Sequence, residues 1–277
     1  MSDASVVRIA PGVRRVRAGN AGLMTGTGTN TYLLGEREVA VLDPGPVDPQ
    51  HLERIRQAAG AAIRWILVTH THPDHSPLAA ALKQLTGARL IGWPPPADHR
   101  QDETFRPDEV PTDGATLQLG DTALTVVHTP GHASNCLCYV LERERLVFTG
   151  DHVLGDVSPV ILHPDGDMQA YLASLEKLAG HAFERIAPGH GEVLEQGKRV
   201  LDGLRRHRLA REAKVLATLR SGELDLAQLT PRVYDDVPAD RHRWAQLTLE
   251  AHLIKLEREG RVARHGERWA ITGPPER

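Results

Sequence analysis

The sequence predicts a layered α/β domain followed by a smaller helical unit that closes on a β-hairpin, and three observations carry that prediction. Over the first 200 residues, short apolar, β-branched runs alternate with amphipathic stretches, so strands and helices are interleaved and the sheets are covered by helices. Beyond residue 200 the texture changes to long segments with helical periodicity and a final pair of alternating runs. Throughout the first part, ligand-type side chains stand directly after strand-like runs. VTHTHPDHS at 68–76 is the densest case, with His70, His72, Asp74 and His75 following IRWILV.

Taken in order, TNTYLLG and EVAVLDPG are expected as two early strands, the second closed by Asp43-Pro44-Gly45. HLERIRQAAG reads as a helix, IRWILVTH as a strand, PLAAALKQLTG as a helix and ARLIGW as a strand. The PPP at 94–96 is a stiff turn. Residues 115–150 are strand-rich, through ATLQLG, TALTVVHTPG and NCLCYVLERERLVFTGD. MQAYLASLEKLAG is an amphipathic helix, and FERIAPGHG is a strand ending in a turn. In the tail, RVLDGLRRHRLAREAKVLATLRSG is a long helix stopped by Gly222, and DLAQLTPRVYDDV is a short helical segment. RHRWAQLTLEAHLIKLEREG is a further helix with Leu249, Leu253 and Leu256 along one face. RVARHGERWAIT is a hairpin turning at His265-Gly266-Glu267. Three helices followed by a hairpin is the order of a winged-helix unit, which divides the chain into residues 1–199 and 200–277.

Length and composition fit one large domain plus one small one: 277 residues, 40% hydrophobic and 25% charged. No run approaches the ~20 apolar residues of a membrane helix, and the N-terminus lacks the apolar stretch of a secretory signal. A cytoplasmic protein without a membrane partner is expected. Residues 200–277 carry 15 Lys+Arg against 12 Asp+Glu, a mildly basic tail on a chain whose net charge is −3. Cys136 and Cys138, two apart in NCLCYVL, cannot bridge each other without distortion; reduced, buried thiols are the default reading, with a CxC metal pair as the alternative.

The HxHxDH segment is costly unless it binds something. Imidazole nitrogen and carboxylate oxygen are zinc ligands. His70 and His72, two apart on extended backbone, can share a metal, while Asp74 and His75, past the turn that Pro73 favours, reach a second position beside it. Two ions need more ligands, and the chain supplies them with the same local arrangement: His132 in TVVHTPGHAS, Asp151 in RLVFTGDHV and His190 in RIAPGHGEV. His128, His152, His163 and His181 lack the full pattern and are read as surface or ligand-supporting residues. His51, His99, His207, His242, His252 and His265 are read as solvated. Ser134 and Asn135 cap a turn or line a pocket, Tyr171 is read as core, and Trp93 as a candidate for a pocket rim.

Asp43 in VLDPG, HTHPDH at 70–75, His132 in PGH, Asp151 in TGD and His190 in PGHG together resemble the five motifs of the metallo-β-lactamase superfamily. The resemblance covers about residues 5–200 and implies a four-layer αββα sandwich with its site along one edge. It assigns His70, His72 and His132 to a first zinc, Asp74, His75 and His190 to a second, and Asp151 to a bridge between them; Asp43 orients ligands without binding metal. The tail, with GTGTNTYLLG near the N-terminus, is similar to a branch containing endoribonuclease-like β-lactamase-related proteins with a C-terminal winged helix. Antibiotic-degrading zinc members commonly have cysteine where Asp151 stands, which argues against true β-lactamase activity.

These readings imply a hydrolase in which two zinc ions roughly 3.5–4 Å apart hold a bridging hydroxide, with Asp74 orienting it or accepting its proton. The substrate is expected to be an ester, a thioester or a phosphodiester, including single-stranded RNA. The alternatives are a hydroxyacylglutathione-type thioester hydrolase, a mononuclear iron sulfur dioxygenase, and a non-catalytic DNA-binding regulator with a structural metal. The last fits poorly, because structural zinc sites are usually closed and four-coordinate.

Overall fold

The computed structural model describes residues 6–97, 100–155 and 157–273. One sheet runs in sequence order through β1 (Val6–Ala10), β2 (Val13–Arg17), β3 (Asn30–Leu34), β4 (Glu38–Leu42), β5 (Ala62–Leu67) and β6 (Arg89–Ile91). Its first four strands are antiparallel, and β4, β5 and β6 are parallel. The parallel steps are made possible by α1 (Pro49–Ala59) and α2 (Leu78–Thr86), which carry the chain back between strands. Helix α1 starts where Asp48 accepts from the Gln50 amide, with Pro49 at its first position, and stops at left-handed Gly60.

The second sheet has the order β11-β10-β9-β8-β7, from β7 (Thr116–Leu119), β8 (Thr122–His128), β9 (Leu137–Leu141), β10 (Leu146–Gly150) and β11 (Arg185–Pro188). Helix α3 (Met168–Ala179) provides the crossover that lets β10 and β11 run parallel.

Alternation along the strands builds the layers. In β4, Ala40 and Leu42 enter the cluster between the sheets, while Val39 and Val41 pack with Ile55 of α1 and Leu82 of α2. In β10, Leu146 and Phe148 face inward, while Val147 packs with Tyr171 and Leu175 of α3. Strands apolar on both faces sit between two covers, and the result is the αββα sandwich that the family resemblance implied.

Helix α4 (Gly197–Leu219) is long enough to serve two cores. Leu201, near its start, joins the α3 side of the sandwich, whereas Val215 and Leu219 join a separate cluster. That cluster is completed by α5 (Leu226–Val233), α6 (His242–Arg258), β13 (Val262–His265) and β14 (Arg268–Ile271), with Leu229, Leu249, Leu253 and Trp269 at its centre. The expected helices and hairpin are present. A two-residue strand, β12 (Leu224–Asp225), adds to β14 and makes a three-stranded wing.

Three features depart from the sequence reading. The β1–β2 hairpin, VVRIAPGVRRVR, was not foreseen, because its arginines mask the strand alternation; Arg15 is nevertheless buried, with its guanidinium on Glu192 at 2.7 Å and on the Gly191 carbonyl. His51 is buried rather than solvated, and its Nε2 lies 2.8 Å from Thr31 Oγ1. His252 is likewise buried, against Glu212 at 3.3 Å. His99 lies outside the described residues. Cys136 and Cys138 are free and buried.

Candidate metal centre

Every predicted ligand stands just past the C-terminal end of a strand, and those ends meet along one edge of the sandwich. The 70–75 segment follows β5, His132 follows β8, Asp151 follows β10 and His190 follows β11. Strands are rigid relative to loops, so each fixes where its ligand loop begins.

The seven side chains form two groups. His70, His72 and His132 offer one nitrogen each within 4.8 Å of one another, and Asp74, His75, Asp151 and His190 form a second set by the same measure. His72 Nδ1 is 3.0 Å from His70 Nε2 and 2.9 Å from His132 Nε2. Nitrogens sharing a tetrahedral zinc at about 2.0–2.1 Å would stand roughly 3.3 Å apart, so this spacing suits one small cation. In the second set, His190 Nε2 is 3.0 Å from Asp74 Oδ2 and 3.4 Å from Asp151 Oδ1, and His75 Nε2 is 3.3 Å from the same Asp151 oxygen. Asp151 turns its other oxygen towards the first group, 3.9 Å from His132 Nε2, so this one carboxylate spans both.

The outward nitrogens show which atoms are free to bind. His132 Nδ1 faces the Val160 carbonyl at 2.8 Å, and His190 Nδ1 faces the Gly28 carbonyl at 3.2 Å. A carbonyl only accepts, so each Nδ1 carries a proton and each Nε2 is the atom turned inward, free to bind once it is deprotonated. His75 Nδ1 lies 3.0 Å from Asp43 Oδ2 with the same consequence. The Thr69 hydroxyl donates to that Asp43 oxygen at 2.7 Å, so Thr69 Oγ1 must accept from His70 Nδ1, 3.0 Å away. Asp43 thus sets the tautomer of one histidine in each group without entering either.

Electrostatics separate the two groups. Burial holds His70 well below its ordinary pKa, reinforced by His75 and His72; burial brings His72 down to about 3. Both are neutral at pH 7. On the acidic side burial also opposes charge on His75 and His190, but the carboxylates outweigh it. Asp74, Asp151 and Asp43 lift His75 well above its usual value, and Asp151 and Asp74 lift His190 to about 10. Without a cation this pocket recruits protons to balance its carboxylates. The Nε2 atoms of His75 and His190 and Asp151 Oδ1 are buried without a hydrogen-bond partner. Inward-facing imidazole nitrogens beside carboxylates that otherwise draw protons are what a pair of divalent cations satisfies, so the residues fit a metal centre.

Glycines make the edge tight enough. A Cβ on Gly189 would lie 2.4 Å from Asp151 Oδ1 and 2.7 Å from His75 Cε1, and one on Gly131 would lie 2.4 Å from the Tyr171 Cα. Both positions are glycine because the backbone there comes too close to its neighbours for a side chain.

A cleft of about 210 Å³ opens over the centre. His72, Asp74, His132 and Asp151 form its floor, and its walls include Met24, Val160, Leu162, Trp244 and Leu247, with Arg100 and Asp165 at polar positions. Trp244 and Leu247 belong to α6, so the C-terminal domain walls the site. Neither these two nor Met24 was singled out from sequence, because only docking of the tail brings them there. Ser134 and Asn135 do not line the cleft; the Asn135 side chain donates to Thr71 Oγ1 at 2.6 Å, and the Ser134 amide donates to Asp165. Trp93 stacks on His128 at 4.1 Å, away from the cleft walls, and Tyr171 is fully buried. His152 is buried beside Tyr171, with neither ring nitrogen hydrogen-bonded.

Residues 24–190 match the model of the metallo-beta-lactamase superfamily, and residues 226–269 match that of the beta-lactamase associated winged helix domain. A relative named beta-lactamase-like protein 2 homolog, from Drosophila melanogaster, is 33% identical over 93% of this chain and 92% of its own. An atrochrysone carboxyl ACP thioesterase from Aspergillus chevalieri is 32% identical over 97% and 89%. The crystal structure of a beta-lactamase domain protein from Burkholderia ambifaria, 22% identical, superposes with a TM-score of 0.83 over 98% of this chain and 95% of that one, a likeness of fold.

Proposed function

The chain belongs to the metallo-beta-lactamase superfamily as a hydrolase, and from that premise we propose that it is a two-zinc enzyme hydrolysing thioesters of small, apolar acyl groups. One observation carries the choice of substrate: the cleft above the seven-residue cluster is walled mainly by apolar side chains, with Trp244 and Leu247 from α6 facing the sandwich. Such a wall binds an acyl group by excluding water, and its ~210 Å³ is below the roughly 300–1,000 Å³ of sites for drug-sized ligands. Among the described lining residues Arg100 is the one Lys or Arg, against Asp74, Asp151 and Asp165. A polyanionic strand needs several cations along its path, so RNA suits this cleft less well. The relative named as an ACP thioesterase supports the same class.

His70, His72 and His132 would hold one zinc, and Asp74, His75 and His190 the other, with Asp151 shared. Bound there, the metal pair supplies an acidified water and a polarised carbonyl. Asp74 lines the cleft and contacts His190, and its carboxyl is held below its ordinary pKa: burial opposes this, but His75 and His190 outweigh it. It is therefore an anion at neutral pH, placed to orient a water or take its proton. Water adds across the C–S bond, giving a carboxylic acid and a thiol.

The test is thiol release from a series of acyl-pantetheine thioesters by the zinc-loaded protein, beside a single-stranded RNA oligonucleotide and an oxygen electrode. The expected result is chelator-sensitive thiol release without RNA cleavage or oxygen uptake. Cleavage of RNA with every thioester left intact overturns the reading.

A further inference from the structure

His132 is held from outside by a segment whose own supports come from the C-terminal helices. The Val160 carbonyl that accepts its Nδ1–H hydrogen bond lies in residues 157–162, which form neither helix nor strand. No regular hydrogen-bond ladder therefore fixes that oxygen, and its neighbours must. Ser158 Oγ is 3.2 Å from His207 Nδ1, the Pro159 carbonyl accepts from the Arg208 guanidinium, and the Ile161 amide donates to Thr248 Oγ1 at 3.4 Å. His207 and Arg208 lie on α4 and Thr248 on α6. Residues on both sides of Val160 are thus tied to the C-terminal domain, and Val160 is tied to a predicted ligand.

Arg208 is the strongest of these ties. It is 3% exposed, its ring-facing side lies over Tyr171 at 5.3 Å, and its donor reaches a carbonyl one residue from Val160. A hydrogen bond from a charged donor in a dry setting is stronger than a neutral one and leaves a costly vacancy when removed.

We propose that Arg208, acting through Pro159 and Val160, is a positioning residue for His132, so that the C-terminal domain sets how tightly the three-histidine group holds its metal. The inference rests on metal binding at the cluster and is independent of which bond the enzyme cuts. An outer hydrogen bond to a ligating histidine typically changes metal affinity ~10–100-fold, and Arg208 governs where that partner lies.

The experiment is a zinc titration of the metal-free full chain against a chromophoric chelator, with the imidazole N–H protons followed by NMR. In Arg208→Met one of two zinc equivalents should weaken by ~10–100-fold, and the His132 Nδ1 proton, assigned by its loss in His132→Gln, should exchange faster with solvent. Lys255→Met is the control. Lys255 lies on α6, is buried, and binds Glu212 and Glu259 inside the C-terminal domain. That variant should lower Tm and leave zinc affinity where it was. Unchanged zinc affinity in Arg208→Met, or equal weakening in Lys255→Met, overturns the proposal. Thr248→Val, a near-isosteric change at the other tie, decides the matter if Arg208→Met does not fold: native zinc affinity with native N–H exchange in that variant also overturns it.

Discussion

Asp43 Oδ2 lies 3.0 Å from His75 Nδ1, and both side chains are buried. The same carboxylate takes the Thr69 hydroxyl on Oδ2 and the Thr69 amide on Oδ1, each at 2.7 Å. One residue that enters neither group therefore orients a histidine in each. Asp43→Asn keeps the shape but places an amide where an acceptor is needed, which favours the wrong His75 tautomer. The expected result is a ~10–100-fold loss of zinc affinity affecting both equivalents, with Tm of the metal-free protein changing little. Loss confined to one equivalent would contradict the shared role of Asp43.

Gly189 is a steric requirement of the same centre. Its missing Cβ would meet Asp151 Oδ1 at 2.4 Å, a distance no real side chain tolerates. Gly189→Ala must displace Asp151 or the β11 end, at a cost of about 1–3 kcal/mol by analogy with overpacked cores. Metal analysis should show fewer than two zinc per chain, and calorimetry a lowered Tm. Full zinc occupancy in the alanine variant would show that Asp151 has room to move.

Metal dependence separates the enzymatic reading from a structural one. Dialysis against a chelator should abolish thioester hydrolysis and restored zinc should return it, while His72→Ala should lower kcat/KM by ~10²–10³-fold, the size of loss seen when one electrostatic contact to the reacting oxygen is removed. Metal-free protein should remain folded by circular dichroism, because the sandwich core does not pass through the cluster. Unfolding on chelation would instead mark the metal as structural.

Trp244 and Leu247 should govern acyl selectivity. A methylene in an apolar pocket is worth about 1–3 kcal/mol, or 10–200-fold in kcat/KM. Trp244→Ala should therefore flatten the preference between short and longer acyl groups by ~10-fold or more, with zinc content unchanged. An identical chain-length profile in the variant would remove the α6 wall from substrate recognition, whatever bond is cut.

The sequence shows the centre more clearly than its surroundings for a physical reason. Metal chemistry restricts residue type, and a strand end restricts position, so His70, His132, Asp151 and His190 each carry a local signature. What supports them is not local. His132 depends on the Val160 carbonyl, which has no side-chain identity to read, and on Arg208, which looks like one arginine among several on α4. Nothing near Arg15 in the sequence marks it as buried, because the Glu192 that pairs with it lies 177 positions later. The same holds for His51 and His252, whose burial depends on partners at Thr31 and Glu212.

Buried histidines also make the fold acid-sensitive apart from the metal. His252 is brought down from 6.5 to about 4, by burial first and by Arg208 and Lys255, with Glu212 opposing. Burial, with Arg54, brings His51 down to about 4 as well. A histidine whose folded pKa is depressed binds its proton more readily in the unfolded chain, so its contribution is present above about pH 6.5 and is lost as pH falls towards 4. At 1.36 kcal/mol per unit, the His252 shift corresponds to roughly 3 kcal/mol across that window. Glu212, also buried, is held below its ordinary value against the burial penalty by His252 and Lys255, so its contribution disappears at still lower pH. Urea denaturation of the chelated protein should therefore show stability falling steadily between pH 6.5 and 4. In His252→Leu that fall should shrink by about 1–3 kcal/mol, while stability at pH 8 changes by the ordinary cost of repacking. The chelator is essential to the design, because zinc held at His70, His72 and His132 would impose its own acid dependence and conceal the difference. Parallel stability curves for the native chain and His252→Leu would show that His252 is protonated to the same extent folded and unfolded.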